Sequence, residues 1–263
     1  MSTVRDHLWI FSHREGSYNN EWGLPGDSRI TPAEAAYYLN VPNLIMVGYK
    51  NLPRPPFDRY AISFRPLARV VWAVVGEAGR SSEADRQHVL DLAARFPNIV
   101  GVYLDDFFQT ADGAPAMTEE ELAALKEKLT VQGRRLGVWL TFYDQMLAKP
   151  VWNIARLCDC LTFWTWRAAD LADLEKNFAE LERRSAGRDI ALGCYMWDFG
   201  EKKPMPLSLM EKQCALGLEW LRAGRIREIV FLASCLCDLE LETVEWTRAW
   251  IDRVKDEDVP ATR

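Results

Sequence analysis

The sequence is poor in histidine and has no cluster of cations, and each shortage excludes a class of protein. Its 263 residues contain only three histidines, His7, His13 and His88, and no His-x-His pair ends the first apolar run. A histidine-rich metal hydrolase site therefore cannot be assembled. The formal net charge is -6 and the pI is about 5.3. Because nucleic acids and anionic membranes both attract clustered cations, we expect neither as a partner.

Several motifs are missing as well. No Gly-x-Gly-x-x-Gly turn and no Gly-x-x-x-x-Gly-Lys loop follows an apolar run, which argues against nucleotide binding of those kinds. There is no run of 18 apolar residues and no signal-peptide pattern, so the chain is predicted to be soluble and cytoplasmic. The six cysteines lack the companion ligands of a zinc site, and we interpret them as reduced core residues. No cofactor is predicted.

What the sequence does contain is a regular alternation of apolar runs and helix-like segments. Eight runs rich in β-branched and aromatic residues are predicted to be strands, at residues 8–12, 43–49, 69–76, 98–104, 136–143, 160–166, 190–197 and 228–235. Their near-continuous apolar character is typical of parallel strands that are covered on both faces.

Helix signals fill most of the gaps between these runs. Thr31 and Glu34 form a capping box with proline at the first helical position, and Thr118 and Glu121 form another, with Gly133 expected at the end of that helix. Further helix signals occur at residues 82–96, 206–224 and 241–254, whereas the proline-rich gap at 50–68 is poorly helical.

Eight strands that are each followed by a helix or a substitute, in about 250 residues, predict a (β/α)8 barrel. No linker or low-complexity tract divides the chain, so residues 1–263 are expected to form a single α/β domain. The alternative is a doubly wound open sheet, which the missing nucleotide-binding turns disfavour.

The stretch GVYLDDFF, at residues 101–108, is the strongest functional signal in the chain. Two adjacent carboxylates, Asp105 and Asp106, end an apolar strand, although such acids repel each other and are costly to bury. Capping does not explain them, because the next helix already has its cap at Thr118. By strand parity, Tyr103 and Asp105 face the barrel interior, and Asp106 lies just past the rim. In such barrels this rim forms the active site.

Acids and aromatic rings end the neighbouring strands too. They are His13, Glu15, Tyr49, Glu77, Tyr143, Trp166, Tyr195, Trp197 and Asp198. Carboxylates can protonate and attack a glycosidic bond, and flat aromatic faces stack on the C–H surface of a sugar. In strand six, Trp164 and Trp166 share the parity that faces the barrel axis; we predict Trp164 in the core and Trp166 at the rim.

Through GVYLDDFF, TFWTW and CYMWDFG, the chain resembles the barrel-type glycoside hydrolases. The resemblance implies a catalytic acid at the end of strand four. The chitinase pattern Asp-x-x-Asp-x-Asp-x-Glu is not met, because Phe107 and Phe108 follow the acid pair. The resemblance is therefore to the group as a whole and not to one of its families.

The sequence thus predicts a glycosidase that acts on a small glycoside or oligosaccharide. Asp105 or Asp106 would be the nucleophile or base, and the acid would come from another strand, with Asp198 as first choice, then Glu77, then Glu15. The predicted substrate-binding residues are His13, Glu15, Tyr49, Tyr143, Trp166, Tyr195 and Trp197.

Two alternatives remain open at this point. One is a barrel that binds carbohydrate without catalysis, since a fold does not fix a function. The other is a sugar isomerase, epimerase or lyase that uses a divalent metal held by Asp105, Asp106 and either Glu77 or Asp198. No metal ligand is assigned in the leading prediction, and the sequence does not indicate an oligomeric state.

Overall fold

In the computed structural model, which describes residues 2–110 and 114–260, eight parallel strands close into a barrel. The strands are β1 (Leu8–Ser12), β2 (Asn43–Met46), β3 (Arg69–Val75), β4 (Ile99–Leu104), β5 (Gly137–Tyr143), β6 (Cys160–Trp164), β7 (Asp189–Tyr195) and β8 (Glu228–Leu232). Each pairs with its neighbour in chain order, and β8 closes on β1, with Ile229 opposite Leu8. The predicted (β/α)8 fold is confirmed.

A helix follows each strand within the described residues. The helices are α1 (Pro32–Tyr38), α2 (Asp58–Ser63), α3 (Glu83–Arg95), α4 (Glu119–Glu127), α5 (Trp152–Ala155), α6 (Leu174–Arg184), α7 (Leu207–Arg222) and α8 (Glu242–Val254). Both predicted capping boxes form, at Thr31 and at Thr118. The proline-rich gap holds only the six-residue α2.

Gly133 does not end α4, and that prediction was wrong. The helix ends at Glu127, and Gly133 lies with Gln132 in the turn between two short paired strands, Thr130–Val131 and Arg134–Arg135. Both turn residues have positive φ, 50° for Gln132 and 73° for Gly133, as a tight two-residue hairpin turn requires. A glycine after an apolar run signals such a turn as well as a helix end.

Aromatic side chains fill the barrel interior. Trp164 packs against Tyr195, with 5.0 Å between ring centroids, and its edge meets the ring of Phe11. Gly193 makes room for it, because a Cβ there would lie 2.1 Å from the indole ring. Tyr103 also reaches Phe11, at 5.6 Å, so the strand parities predicted for β4 and β6 are confirmed.

A buried ionic network closes the N-terminal end of the barrel. Glu228 of β8 accepts hydrogen bonds from both terminal nitrogens of Arg69, at 2.8 and 3.0 Å, and from Trp9 Nε1 at 2.7 Å. The guanidinium of Arg69 also lies over the Trp9 ring. These contacts join β8 and β3 to β1 at the end opposite the acid pair.

Two further observations concern the predictions from composition. All six cysteines are buried, and none is bonded to another. Within residues 2–110 and 114–260, no helix is both long and apolar enough to cross a membrane.

Candidate active site

Asp105 follows directly after β4 and points into the mouth of the barrel. Only 6% of its surface is exposed, and its Oδ1 accepts a hydrogen bond from Thr141 Oγ1 of β5 at 2.9 Å. The Tyr103 hydroxyl lies 3.0 Å from the same Thr141 oxygen. The first acid of the pair is therefore buried and fixed by side chains of two adjacent strands.

Asp106 is half-buried and lies at the end of the same strand, where the backbone changes direction. Its φ of 43° is in the left-handed region, which aspartate tolerates better than most residues. In this position Oδ1 accepts from the Tyr143 hydroxyl at 2.9 Å and Oδ2 from the Ala78 amide at 3.4 Å. The second acid is thus held between the ends of β3 and β5.

The surroundings raise the pKa of both acids. Burial is the main cause for Asp105, whose pKa lies well above its usual range, and the charge of Asp106 adds to it. Burial also raises the pKa of Asp106, and Glu77 contributes, against opposing hydrogen bonds from Tyr143 and Ala78. The pair therefore keeps a proton at a pH where an isolated aspartate has lost it.

Glu77, at the end of β3, is the predicted third carboxylate that the structure brings to the pair. Its Oε2 accepts from the Lys50 amide at 3.1 Å, and it forms an ion pair with Arg80. Its charge raises the pKa of both Asp105 and Asp106. Carboxylates from two strands thus interact electrostatically at one side of the mouth.

Asp198 and Glu15, the other predicted acids, make their contacts elsewhere. Asp198 lies outside β7, in a short strand that pairs with Lys203–Pro204, and its Oδ1 accepts from the Glu201 amide at 3.1 Å. Its Oδ2 is buried without a hydrogen bond. Glu15 accepts a hydrogen bond from the Tyr60 hydroxyl at 3.0 Å. Each carboxylate thus accepts a hydrogen bond from its own part of the rim.

Aromatic rings surround the acid pair as predicted from the strand ends. Trp166 is half-buried at the rim, and its ring centroid lies 6.1 Å from that of Tyr143 and 5.8 Å from that of Tyr195. The charges of both aspartates contribute to the raised pKa of Tyr195, although burial is its main cause. Trp166 reaches the mouth and is not covered by the outer helices.

Three more predicted binding residues lie at the same mouth and contact other protein groups there: His13, Tyr49 and Trp197. The His13 ring is buried against Tyr49, and burial lowers its pKa to about 4, so it is neutral near pH 7. The Tyr49 hydroxyl donates to Glu21 at 2.6 Å. Trp197 is buried and donates its indole N–H to the Trp22 carbonyl oxygen at 2.8 Å.

The sequence analysis missed three aromatic residues of this site, Tyr18, Trp22 and Phe199. Tyr18 and Trp22 belong to the long segment between β1 and α1, and Phe199 to the hairpin after β7. The Trp22 ring lies 6.0 Å from Trp166 and 5.6 Å from Phe199. The signal that could have found them is an aromatic residue within a loop rich in glycine and asparagine, SYNNEWG, next to a barrel strand.

A cavity of about 670 Å³ opens beside the mouth. The segments after β2 and β3 line it, with Phe57, Trp72 and Arg80 among the lining residues, and Glu77 belongs both to this cavity and to the acid cluster. Among the described residues, no group of three or more histidine, cysteine, aspartate or glutamate side chains is arranged to hold a metal ion.

Comparison with known proteins supports the fold and does not identify the reaction. No protein-family model and no curated protein sequence matches the chain. A family 18 chitinase from Cycas revoluta is structurally similar, with a TM-score of 0.57 and 12% identity over 92% of this chain and 99% of that one. The glycoside hydrolase domain of PgaB from Bordetella bronchiseptica has a TM-score of 0.53 and 8% identity, over 92% and 98%.

A xylanase and α-amylase inhibitor protein in complex with trehalose is similar too, with a TM-score of 0.56 and 12% identity over 95% of this chain and 98% of that one. At such low identity these likenesses establish the fold alone. The resemblance to barrel-type glycoside hydrolases that the sequence predicts is confirmed at that level.

Proposed function

We propose that the protein is a glycoside hydrolase that acts on a small glycoside or oligosaccharide at the C-terminal mouth of the barrel. The observation that carries the proposal is the pair Asp105 and Asp106, two neighbouring acids with raised pKa values. Hydroxyl groups of Thr141 and Tyr143 fix them. Cleavage of a glycosidic bond requires a carboxylic acid that is protonated at the working pH together with a second carboxylate.

Within this proposal, Asp106 is the proton donor. It is the less buried member of the pair, and the Tyr143 hydroxyl fixes its orientation. Glu77 becomes the preferred second carboxylate, ahead of Asp198, because its charge acts on both aspartates from another strand. Asp105, held by Thr141, shares the proton of the pair, because its pKa is the more strongly raised of the two.

Aromatic residues supply the surface on which the sugar stacks. Trp166 presents its ring at the rim between Tyr143 and Tyr195. Such flat faces match the apolar C–H surface of a pyranose. Carbohydrate is therefore the proposed ligand, and no cofactor is assigned.

A second candidate function is carbohydrate binding without catalysis. Two observations favour it: Asp105 is almost covered by side chains, and one protein of the same fold is an inhibitor protein in complex with trehalose. A metal-assisted sugar isomerase, epimerase or lyase has no comparable support among the described residues, which include no three-residue metal cluster.

The experiment that separates these functions is a panel of nitrophenyl glycosides and reducing oligosaccharides, with turnover and calorimetric binding measured on the same sugars. Glycosidase function predicts hydrolysis that persists in EDTA. Binding without turnover would favour the second candidate. Activity that is lost in EDTA and restored by Mg²⁺ would favour the metal-assisted reactions.

A further inference from the structure

The segment between β1 and α1 packs at the mouth of the barrel, against Trp166 and near Asp105. We call residues 14–30 the cover segment. Its Tyr18 packs against Phe199, with 5.4 Å between ring centroids, and lies near enough to Asp105 for that charge to raise the Tyr18 pKa beyond the effect of burial. Trp22 lies beside Tyr18, and its ring also meets that of Trp166. The segment therefore occupies part of the mouth in which the proposed sugar would bind.

The backbone of the cover segment is strained at its centre. Four of its residues have left-handed backbone conformations, with φ of 70° at Gly16, 61° at Asn20, 57° at Trp22 and 68° at Gly23. For a bulky residue such as tryptophan this conformation is a genuine outlier, and outliers of this kind concentrate at ligand clamps and switch regions. The surrounding contacts therefore hold Trp22 in a conformation that its backbone does not favour.

Tyr18 anchors one side of the segment by packing against His13, Tyr49 and Phe199, and the amides of Arg29 and Ile30 anchor its end by donating to Asp238. Fewer contacts hold the tip between these anchors. Glu21 accepts from the Tyr49 hydroxyl at 2.6 Å and pairs with Lys50, whose side chain is 57% exposed. The Trp22 carbonyl accepts from Trp197. Partly exposed contacts of this kind are individually weak. The part of the segment that can open is thus its tip around Glu21 and Trp22, while Tyr18 and residues 29 and 30 stay in place.

Trp22 occupies the place next to the proposed sugar-stacking residue. Its ring meets that of Trp166 at an angle of 80°. Its indole N–H is buried near the Tyr49 hydroxyl without forming a hydrogen bond of normal geometry. Moving the ring away would expose the face of Trp166 and would break no regular hydrogen bond of the Trp22 side chain.

We propose that the cover segment is a lid that opens to admit substrate, and that a sugar ring then takes the place of the Trp22 ring against Trp166. The identity of the ligand rests on the proposed function, whereas the opening of the lid does not. The closed structure is the resting state, and the bond between Glu21 and Tyr49 is its latch.

Hydrogen exchange measured by mass spectrometry tests the lid without any substrate. In the wild-type protein, peptides from the cover segment should exchange at least ten-fold faster than peptides from β1 and β8. Glu21→Ala should accelerate exchange of the segment about five-fold, which corresponds to about 1 kcal/mol. The matched control is Glu245→Ala, which removes the similar bond from Tyr38 of α1 to Glu245 of α8 and should leave the tip of the segment unchanged. Two results would overturn the proposal of a lid: hydrogen exchange of the cover segment as slow as that of β1 and β8, or equal acceleration of that exchange by Glu21→Ala and Glu245→Ala.

A second measurement tests the sugar. Asp106→Asn is mixed with a glycoside that the wild-type protein hydrolyses, so that the ligand stays intact. Binding should change exchange of the cover segment by at least three-fold, and unchanged exchange would overturn the displacement of Trp22 by sugar. If the segment opens but the wild-type protein hydrolyses no glycoside, the lid stands and the proposed function fails, so the two failures are distinguishable.

Discussion

At the scale of single residues, the acid pair is held at a cost in stability. Asp105 is buried and Asp106 is half-buried, and both carry few compensating contacts, mainly the hydroxyls of Thr141 and Tyr143. A chain selected for stability alone would not retain two neighbouring carboxyls in such a place. Residues that destabilise a fold at a concave mouth are candidates for function.

This cost leads to a prediction about pH. Because the folded-state pKa of Asp105 is raised, the folded protein binds more protons than the unfolded chain, and its stability falls as pH rises from about 4. Each unit by which the pKa rises corresponds to about 1.4 kcal/mol. Asp105→Asn should therefore have a higher Tm than wild type at pH 8, with a gap that narrows towards pH 4. A gap that stays constant over this range in thermal melts would contradict the assignment.

Trp166 carries the prediction about binding. Trp166→Ala should weaken binding of a substrate sugar by about 1–3 kcal/mol, the scale of losing a large aromatic contact, without unfolding the protein. Trp246→Ala, on α8, is the matched control and should bind as wild type does. Calorimetry measures the sugar affinity of both variants. Unchanged affinity in a folded Trp166→Ala variant would refute the role of Trp166 in sugar binding.

Single residues also show how far the sequence could predict the site. The direction of Asp105 followed from strand parity, because β4 pairs regularly with β5 from Gly101 to Leu104. The direction of Asp106 did not, because its positive φ ends the period-two pattern. The sequence analysis extended strand seven to residue 197 and ranked Asp198 above Glu77, whereas β7 ends at Tyr195 and Asp198 lies in a separate hairpin.

At the scale of elements, the strands and capped helices were predictable and the loops were not. Thr31 and Thr118 mark helix starts through chemistry that acts within four residues, so sequence alone suffices. The cover segment is positioned by partners far along the chain, such as Glu21 with Tyr49 and Trp22 with Trp197. Contacts of that range leave no periodic signal.

The cap of α4 gives a prediction at this scale. Thr118 Oγ1 accepts from the Glu121 amide at 3.2 Å, and Glu121 accepts in return from the Thr118 amide at 2.8 Å. Thr118→Ala should lower the free energy of unfolding by about 1 kcal/mol, and Thr118→Ser should restore most of it. Urea unfolding of the two variants measures the difference, and equal loss in both would show that the cap contributes nothing.

At the scale of the whole molecule, the two ends of the barrel differ in role: one contains stabilising contacts and the other contains the candidate active site. The N-terminal end contains the buried bonds between Arg69, Glu228 and Trp9, and the C-terminal end contains the acid pair. Such barrels place their active sites at the C-terminal face, and residues at the opposite face contribute to stability. The same fold serves unrelated functions, so only the mouth can identify the function of this protein.

The ionic network supplies a prediction for the whole fold. Arg69→Met leaves Glu228 buried without its cation and should lower the free energy of unfolding by about 3–5 kcal/mol. The double variant Arg69→Met with Glu228→Gln should recover part of the loss, because the buried charge is gone. Activity per folded molecule should not change in either variant. If urea unfolding of Arg69→Met shows a loss of less than about 1 kcal/mol in the free energy of unfolding, the network does not stabilise the N-terminal end of the barrel as proposed.

The most direct test of the central claim is hydrolysis of a confirmed glycoside by Asp105→Asn and Asp106→Asn. Asp159→Asn, an aspartate at the N-terminal end whose Oδ2 accepts from the Val138 amide, is the control. Removal of a positioned acid or base costs about 10²- to 10⁴-fold in rate. We predict that at least one of the two variants loses kcat/KM by about 100-fold or more, while both stay folded and Asp159→Asn keeps wild-type turnover. Full activity in both Asp105→Asn and Asp106→Asn would contradict the account.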